Sequence, residues 1–189
     1  MRQPMIRVLR IQNFKSIRKA ELNCQRVNLF IGGPNTGKSN LLEALGFLGW
    51  CAAPQTPLRG FVRFDLVQNL FYDGLVDAEP MELQIGGKHS LRLIGGFRGG
   101  RFRFGPRGHD PDALSLDYVG NFSGRCLAET GFIKFYRFQR LEKFESPEVG
   151  SLAPPHGQNL LSLVFSSREL RQTVADFLKP FGLQLVLKP

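Results

Sequence analysis

A glycine-rich octapeptide, GGPNTGKS, occupies residues 32–39 and sets narrow limits on how the chain around it can fold. It matches G-x-x-x-x-G-K-[ST], a pattern in which backbone N–H groups surround phosphate oxygens that Cβ atoms would crowd. Gly32 and Gly37 stand where the pattern requires glycine. An apolar run precedes the octapeptide and a helical pattern follows it, which is the context that a phosphate-binding loop needs.

Each residue type in this loop has a chemical role toward a bound triphosphate. Lys38 would reach the β- and γ-phosphates, and the Ser39 hydroxyl would ligate Mg²⁺. A helix that begins near Lys38 would direct its N-terminal N–H groups and the positive end of its dipole at the phosphates. The predicted nucleotide-binding residues are Gly32, Gly33, Pro34, Asn35, Thr36, Gly37, Lys38, Ser39 and Asn40. The alternative interpretation is a glycine-rich turn with an exposed lysine and no ligand.

Apolar residues over the first fifty positions predict three strands and a helix. Segments 6–11 and 17–22 flank a turn at 13–16, which predicts a hairpin. The β-branched and aromatic run 27–31 predicts a buried strand that leads into the loop. A helix that starts near Lys38 follows. Its expected apolar face consists of Leu41, Leu42, Leu45 and Leu48.

Residues 51–145 show the period-two alternation and double-glycine turns that are typical of antiparallel hairpins. The alternating segments are 81–85, 91–94 and 101–104, and the turns are at 86–87 and 99–100. Residues 132–138 predict a further strand. This part of the chain is therefore expected to be rich in β-structure.

Residues 146–189 predict a linker, a helix and a final strand. Ser166 and Glu169 match a capping box at the start of the helix. Pro180 and Gly182 would end it, and residues 183–187 would form the strand. The apolar stripe of the predicted helix consists of Leu170, Val174, Phe177 and Leu178.

Composition and charge restrict the class of protein. The hydrophobic fraction is 42%, enough for a core, and no apolar run is long enough to cross a membrane. Three widely spaced cysteines, Cys24, Cys51 and Cys126, fit no disulfide or metal pattern, so we expect reduced thiols and a cytoplasmic location. The formal net charge of +9 favours an anionic partner such as a nucleotide or a nucleic acid.

Residues 6–45, IRVLRIQNFKSIRKAELNCQRVNLFIGGPNTGKSNLLEAL, resemble the amino-terminal signature of ABC-type ATPases of the SMC, RecF and OLD kind, which are AAA-family P-loop ATPases. The N-F-K-S turn at 13–16, the loop at 31–40 and the L-L-E-A-L segment at 41–45 carry the resemblance. Residues 135–160 are more weakly similar to bacterial AAA-family ATPases of that group. The resemblance implies an α/β P-loop NTPase fold, the amino-terminal lobe of an ABC-ATPase head, with a mixed sheet, antiparallel hairpins and a P-loop helix.

The same resemblance implies a head that binds ATP and Mg²⁺ as cofactors and hydrolyses ATP. Two such heads enclose two ATP molecules, and their dimerisation is linked to DNA repair or antiphage defence. In related heads the residues equivalent to Lys15 and Ser16 lie near the nucleotide. A Q-loop glutamine bridges Mg²⁺ and the attacking water, a role for which Gln139 is the first candidate and Gln68 the second. A solvated surface glutamine is the alternative for both.

Two parts of such a head have no match in this sequence. A Walker B strand needs four apolar residues followed by an acidic pair, and neither 61–65 nor 183–189 fits. No LSGG-type signature is present, only weak echoes at 122–125 and 165–168. We therefore expect a single P-loop ATPase domain over residues 1–189 that is incomplete. A carboxy-terminal half, a homodimer partner or a companion chain would supply the missing residues.

Residues 95–108 place arginines among glycines and phenylalanines, as in nucleic-acid-binding patches. The candidate nucleic-acid residues are Arg98, Arg101 and Arg103. Strict R-F-R-F alternation favours an ordinary antiparallel strand with one polar and one apolar face, and the two interpretations are compatible. For the whole chain, the alternative functions are a nucleic-acid-binding module with a vestigial P-loop, or another P-loop NTPase such as a kinase or GTPase.

Overall fold

An antiparallel sheet of seven strands is the frame of the amino-terminal part of the chain. The computed structural model describes residues 6–88, 90–108, 113–144 and 146–186. The chain divides into two compact units, Met1–Phe135 and Tyr136–Pro189.

The first unit contains the whole sheet and one long helix, α1. Its elements are β1 (Ile6–Phe14), β2 (Ile17–Asn23), α1 (Lys38–Trp50), β3 (Met81–Gly87), β4 (Leu91–Arg98), β5 (Arg101–Pro106), β6 (Leu114–Leu116) and β7 (Phe122–Gly124). Short 3₁₀ turns at Leu58–Gly60, Val67–Leu70, Tyr72–Gly74 and Ala128–Thr130 complete it.

The strand order is β2-β1-β3-β4-β5-β6-β7, and each neighbouring pair is antiparallel. The predicted hairpins are confirmed, but the predicted turn at 86–87 is wrong, because Gly86 and Gly87 belong to β3 and pair with β1. Gly99 and Gly100, with φ of 57° and 74°, form the two-residue turn between β4 and β5, where both positions need left-handed backbone. The expected mixed sheet is wrong for the described strands, since even β3, which follows the long connection through α1, pairs antiparallel with β1.

Helix α1 packs its aromatic residues into the core of the first unit. Phe47 meets Phe104 of β5 edge-on at 5.1 Å between ring centroids, and Trp50 meets Phe122 of β7 at 6.1 Å. The predicted helix start at Lys38 is confirmed, but part of its predicted apolar face is wrong. Leu42 is 47% exposed, whereas Ala44 is buried beside Phe47. The bulkier aromatic residues determine which face points inward.

The predicted strand at 27–31 is wrong. These residues are irregular, and Val27, Leu29 and Ile31 are 81%, 80% and 85% exposed. The alternating apolar pattern is real, but a strand also needs a neighbour that offers N–H and C=O groups. Among the described residues, none pairs with this segment in a ladder.

The predicted strand at 132–138 is also wrong. In the first unit, the N–H of Ile133 donates to Thr130 O at 2.9 Å, and Ile133 then packs against Gly49 of α1. In the second unit, the N–H of Arg137 donates to Pro155 O at 2.8 Å. Local turns and loops therefore take the backbone hydrogen bonds that a ladder would need.

The second unit consists of a loop region and two helices, α2 (Leu160–Ser166) and α3 (Arg168–Leu178), followed by a 3₁₀ turn at Lys179–Phe181. The buried Asn159 side chain holds the loop by donating to Glu148 O and Ser151 O. The residue that caps α3 is Ser167, whose Oγ accepts from Leu170 N, so the predicted cap at Ser166 is off by one residue.

The apolar stripe of α3 stays partly or fully exposed, with Phe177 at 69%. Residues 183–186 are not a strand, and Leu187 lies outside the described residues. Within the described parts of the chain, no helix has the length and apolar character needed to cross a membrane.

Gly95 provides a test of core packing. It pairs with Phe104 across β4 and β5, and a Cβ at this position would lie 2.5 Å from Cε1 of that fully buried ring. We expect Gly95→Ala to lower the free energy of unfolding by about 1–3 kcal/mol, measured by urea denaturation. The matched control is Gly96→Ala, whose Cβ would meet nothing within 4 Å. Equal stability of the two variants would contradict this packing.

Candidate functional site

The octapeptide at 32–39 forms the connection into α1, and the amino-terminal end of that helix is open. Gly37 precedes the helix with φ 83° and ψ 1°, which is left-handed backbone that suits glycine. No side chain caps α1, and its first turn holds no acidic residue. The first N–H groups of α1 and the positive end of its dipole are therefore available to an anion.

The Lys38 ammonium folds back over the loop. It donates to Gly33 O and to Thr36 Oγ1, the latter at 3.1 Å, while Thr36 Oγ1 donates to Gly33 O at 3.0 Å. These acceptors are neutral. A phosphate oxygen makes a stronger, charge-assisted hydrogen bond, so it would compete well for this ammonium.

Glycine gives room on both sides of the loop, and left-handed backbone favours it at Gly37. A Cβ at Gly32 would lie 3.3 Å from Thr36 Oγ1, and a Cβ at Gly37 would lie 3.4 Å from Ser16 Oγ. A side chain at Gly37 would also have to adopt left-handed backbone. The loop therefore fits the close approach of a phosphate that its sequence pattern predicts.

A cleft of about 290 Å³ opens over this loop. We call it the phosphate cleft, and it is lined by Ser16, Asn35, Thr36, Gly37, Lys38, Ser39, Asn40 and Arg63. Lys38 and Arg63 are the charged members of this set, and both are cations. Sequence reasoning did not identify Arg63 as a site residue. The signal that could have identified it is the charge that it places inside an apolar run.

A buried carboxylate stands behind the phosphate cleft. Glu43 of α1, 4% exposed, accepts from Lys15 Nζ at 2.5 Å and from Arg63 Nε. Lys15 Nζ also donates to Arg63 O at 2.7 Å. These three residues, the Glu43 triad, bring together the β1–β2 turn, α1 and the segment around Arg63.

Lys15 and Ser16, which are predicted to lie near the nucleotide, make different contacts. Ser16 lines the phosphate cleft, and its Oγ accepts from Asn40 Nδ2 at 2.7 Å. The Lys15 ammonium is occupied by Glu43 and by a backbone carbonyl. Lys15 therefore positions the turn, while Ser16 faces the site.

The predicted Mg²⁺ ligand set is only partly present among the described residues. Ser39 contributes one hydroxyl to the phosphate cleft, and no carboxylate is among the residues that line it. In the described ranges, no group of three or more His, Cys, Asp or Glu could hold a metal ion. Mg²⁺ keeps near-octahedral oxygen coordination, so phosphate oxygens, water and further side chains would have to complete it.

Residues 5–49 match the family model described as the AAA ATPase domain. This segment is therefore similar to the ABC-type, RecF-like P-loop ATPases of the AAA family. It contains β1, β2, the octapeptide and nearly all of α1.

Curated relatives match a little under half of this chain. The DNA replication and repair protein RecF of Bacteroides fragilis is 32% identical over 90 residues, covering 44% of this chain and 24% of that protein. RecF of Porphyromonas gingivalis is 37% identical over 94 residues, covering 46% of this chain and 26% of that protein. The chain thus spans about a quarter of the length of these relatives. No solved structure matches it.

The two candidate Q-loop glutamines are both exposed. Gln68 lies on the Val67–Leu70 turn of the first unit and is not among the residues that line the phosphate cleft. Gln139 lies in the second unit. The Q-loop role of Gln139 stays a prediction.

The candidate nucleic-acid residues lie on β4 and β5, on or beside the outer face of the sheet. Arg101 donates to Ser115 Oγ and Ser123 Oγ, and Arg103 donates to Arg98 O. Phe102 and Phe104 are buried, so they are not available to stack on bases. The strand interpretation of the R-F-R-F pattern therefore holds, and contact of the arginines with nucleic acid stays a prediction.

The Glu43 triad yields a stability test. We expect Glu43→Gln to lower the free energy of unfolding by about 3 kcal/mol, because the Lys15 side chain, 14% exposed, would be left without its carboxylate. Chemical denaturation measures the loss. The matched control is Glu21→Gln, which removes the exposed pair with Arg10 and should change stability far less. A similar small change for both variants would mean that the triad is not a structural anchor.

Proposed function

We propose that this chain binds ATP through residues 32–40, as part of an ATPase of the RecF and SMC type. The observation that carries the proposal is the phosphate cleft, where an uncapped helix end meets Lys38 and Arg63 with no acidic residue in the lining. An arrangement of N–H donors and cations around glycine backbone suits a polyphosphate. Similarity to the DNA replication and repair protein RecF favours a role in DNA repair over antiphage defence.

In this proposal, Lys38 exchanges its loop acceptors for the β- and γ-phosphate oxygens. The backbone N–H groups from Gly33 to Gly37 surround the phosphates, and Ser39 supplies a hydroxyl ligand to Mg²⁺. Arg63 also lines the cleft, but its charge is partly balanced by Glu43, so Lys38 supplies most of the free positive charge. Bound Mg²⁺ would neutralise charge on the phosphates.

Hydrolysis in this proposal requires carboxylates from outside the described cleft. The exposed apolar row Val27, Leu29 and Ile31 supports such a completion, because alternating apolar residues next to the loop are suited to pairing with another strand. We propose that a companion ATPase half, on a further segment or a separate chain, covers this row and brings the missing acidic residues. Nucleotide-driven dimerisation and a cytoplasmic location are further parts of the same proposal.

The first test is nucleotide binding by the Lys38→Ala variant. We expect the full chain to bind a fluorescent ATP analogue saturably in the presence of Mg²⁺, and the variant to lose at least tenfold in affinity, since a charge-assisted hydrogen bond to phosphate is removed. Lys19→Ala, which removes an exposed charge on β2, is the matched control and should bind as the parent chain does.

Unlabelled ATP should displace the analogue better than GTP. Unchanged affinity in Lys38→Ala would count against a phosphate role for the loop. Equal displacement by ATP and GTP would instead favour a GTPase or another P-loop NTPase.

A second test separates binding from turnover. We expect the chain alone to bind ATP without brisk release of inorganic phosphate, because no carboxylate lines the phosphate cleft to polarise the attacking water. A phosphate-release assay on purified chain measures this. Brisk turnover that disappears in Lys38→Ala would show that the chain needs no companion half.

A further inference from the structure

A second cleft, of about 560 Å³, adjoins the phosphate cleft in the first unit. Its lining consists of Lys15, Ser16, Asn40, Asn69, Phe71, Tyr72, Asp73 and Gly74. Ser16 and Asn40 line both clefts and are joined by the hydrogen bond from Asn40 Nδ2 to Ser16 Oγ. Because the two clefts share this pair of residues, they are adjacent, and one ligand could extend from one cleft into the other.

The two clefts differ in charge. The phosphate cleft has Lys38 and Arg63 as its charged residues. The second cleft contains Asp73, and the cation in its lining, Lys15, is already paired with Glu43. A triphosphate is therefore attracted to the first cleft and repelled by the free carboxylate of the second. A ligand that spans both would place its anionic end over the loop and a neutral end beside Asp73.

Three side chains of the second cleft suit a nucleoside. Tyr72 is half-buried and offers an aromatic ring against which a base can pack. Asn69 uses Oδ1 to accept from the N–H groups of Asp65 and Leu66, so its amide NH₂ is left to donate. The Asp73 carboxylate is exposed, and none of the described residues forms an ion pair or side-chain hydrogen bond with it.

The second cleft is built on a fixed backbone. Lys15 N donates to Leu70 O at 3.0 Å, and Phe14 forms a β-bridge with Phe71. Gly74 N donates to Phe71 O at 3.0 Å, which closes the turn that carries Asp73 at φ 55°. The segment that carries these polar groups is therefore tied to the same β1–β2 turn that presents Ser16 to the phosphate cleft.

We propose that the second cleft, here named the nucleoside cleft, receives the ribose and base of the nucleotide whose phosphates lie on the loop. Asp73 accepts hydrogen bonds from the hydroxyl or amino groups of the nucleoside, Asn69 donates to a base acceptor, and the Tyr72 ring packs against the base. This assignment rests on the proposed ATP-binding function. It adds the residues that hold the end of the ligand without phosphate.

The test compares ATP with inorganic tripolyphosphate, which carries the phosphates without a nucleoside. Affinities of the full chain for both are measured with Mg²⁺ by competition against the fluorescent analogue. We expect Asp73→Asn and Tyr72→Ala each to weaken ATP binding by about tenfold and to leave tripolyphosphate binding unchanged. Asn tolerates left-handed backbone, so Asp73→Asn keeps the turn. Asp77→Asn, an exposed acid that is not in the lining, is the matched control and should change neither affinity.

The outcomes separate this proposal from the one on which it rests. Asp73→Asn and Tyr72→Ala variants that bind ATP as the parent does, or that lose both ligands in the same ratio, would overturn the nucleoside cleft. If Lys38→Ala still loses both ligands, the proposed ATP-binding function stands without it. If the parent chain binds neither ligand, both proposals fail. Thermal unfolding of each variant checks that Tyr72→Ala still folds.

Discussion

The geometry of the site depends on the ion pairs that the Glu43 carboxylate forms. It accepts from Lys15 and Arg63, which are 28 and 20 residues away in sequence, and it lies on α1 one turn beyond the loop. Removal of one cation from this buried carboxylate would destabilise the fold strongly, so the three segments depend on one another for their positions. The phosphate cleft and the nucleoside cleft both border the turn that this triad holds in place.

The ion pairs also determine where free charge remains. Lys15 is paired with Glu43, so it adds little positive field to the cleft that it lines. Among the described residues, the acceptors of Lys38 are neutral oxygens, and the open end of α1 adds its dipole in the same place. The positive field is therefore concentrated over the loop, whereas the acidic Asp73 lines the adjoining nucleoside cleft. A nucleotide is complementary to this arrangement, with anionic phosphates at one end and a neutral nucleoside that carries hydrogen-bond donors at the other.

Sequence reasoning succeeded where the determining contacts are local and failed where they are distant. The β1–β2 and β4–β5 hairpins and the start of α1 follow from short patterns, since turns and helix ends are determined by neighbouring residues. The pairing of Glu43 with Lys15 and Arg63 has no such pattern. Nor does the exposure of segment 27–31, because its alternation predicts a strand without saying whether another strand lies beside it.

The exposed segment also bears on how nucleotide binding and completion of the ATPase are related. At its carboxy-terminal end, the loop is fixed by α1 and by the hydrogen bond from Asn40 to Ser16. At its amino-terminal end, it continues from Val27, Leu29 and Ile31, which no described strand pairs with. Phosphates bound at the loop and a strand added beside 27–31 would each restrict the same stretch of backbone. The second event then has less conformational entropy to lose than the first, so each favours the other.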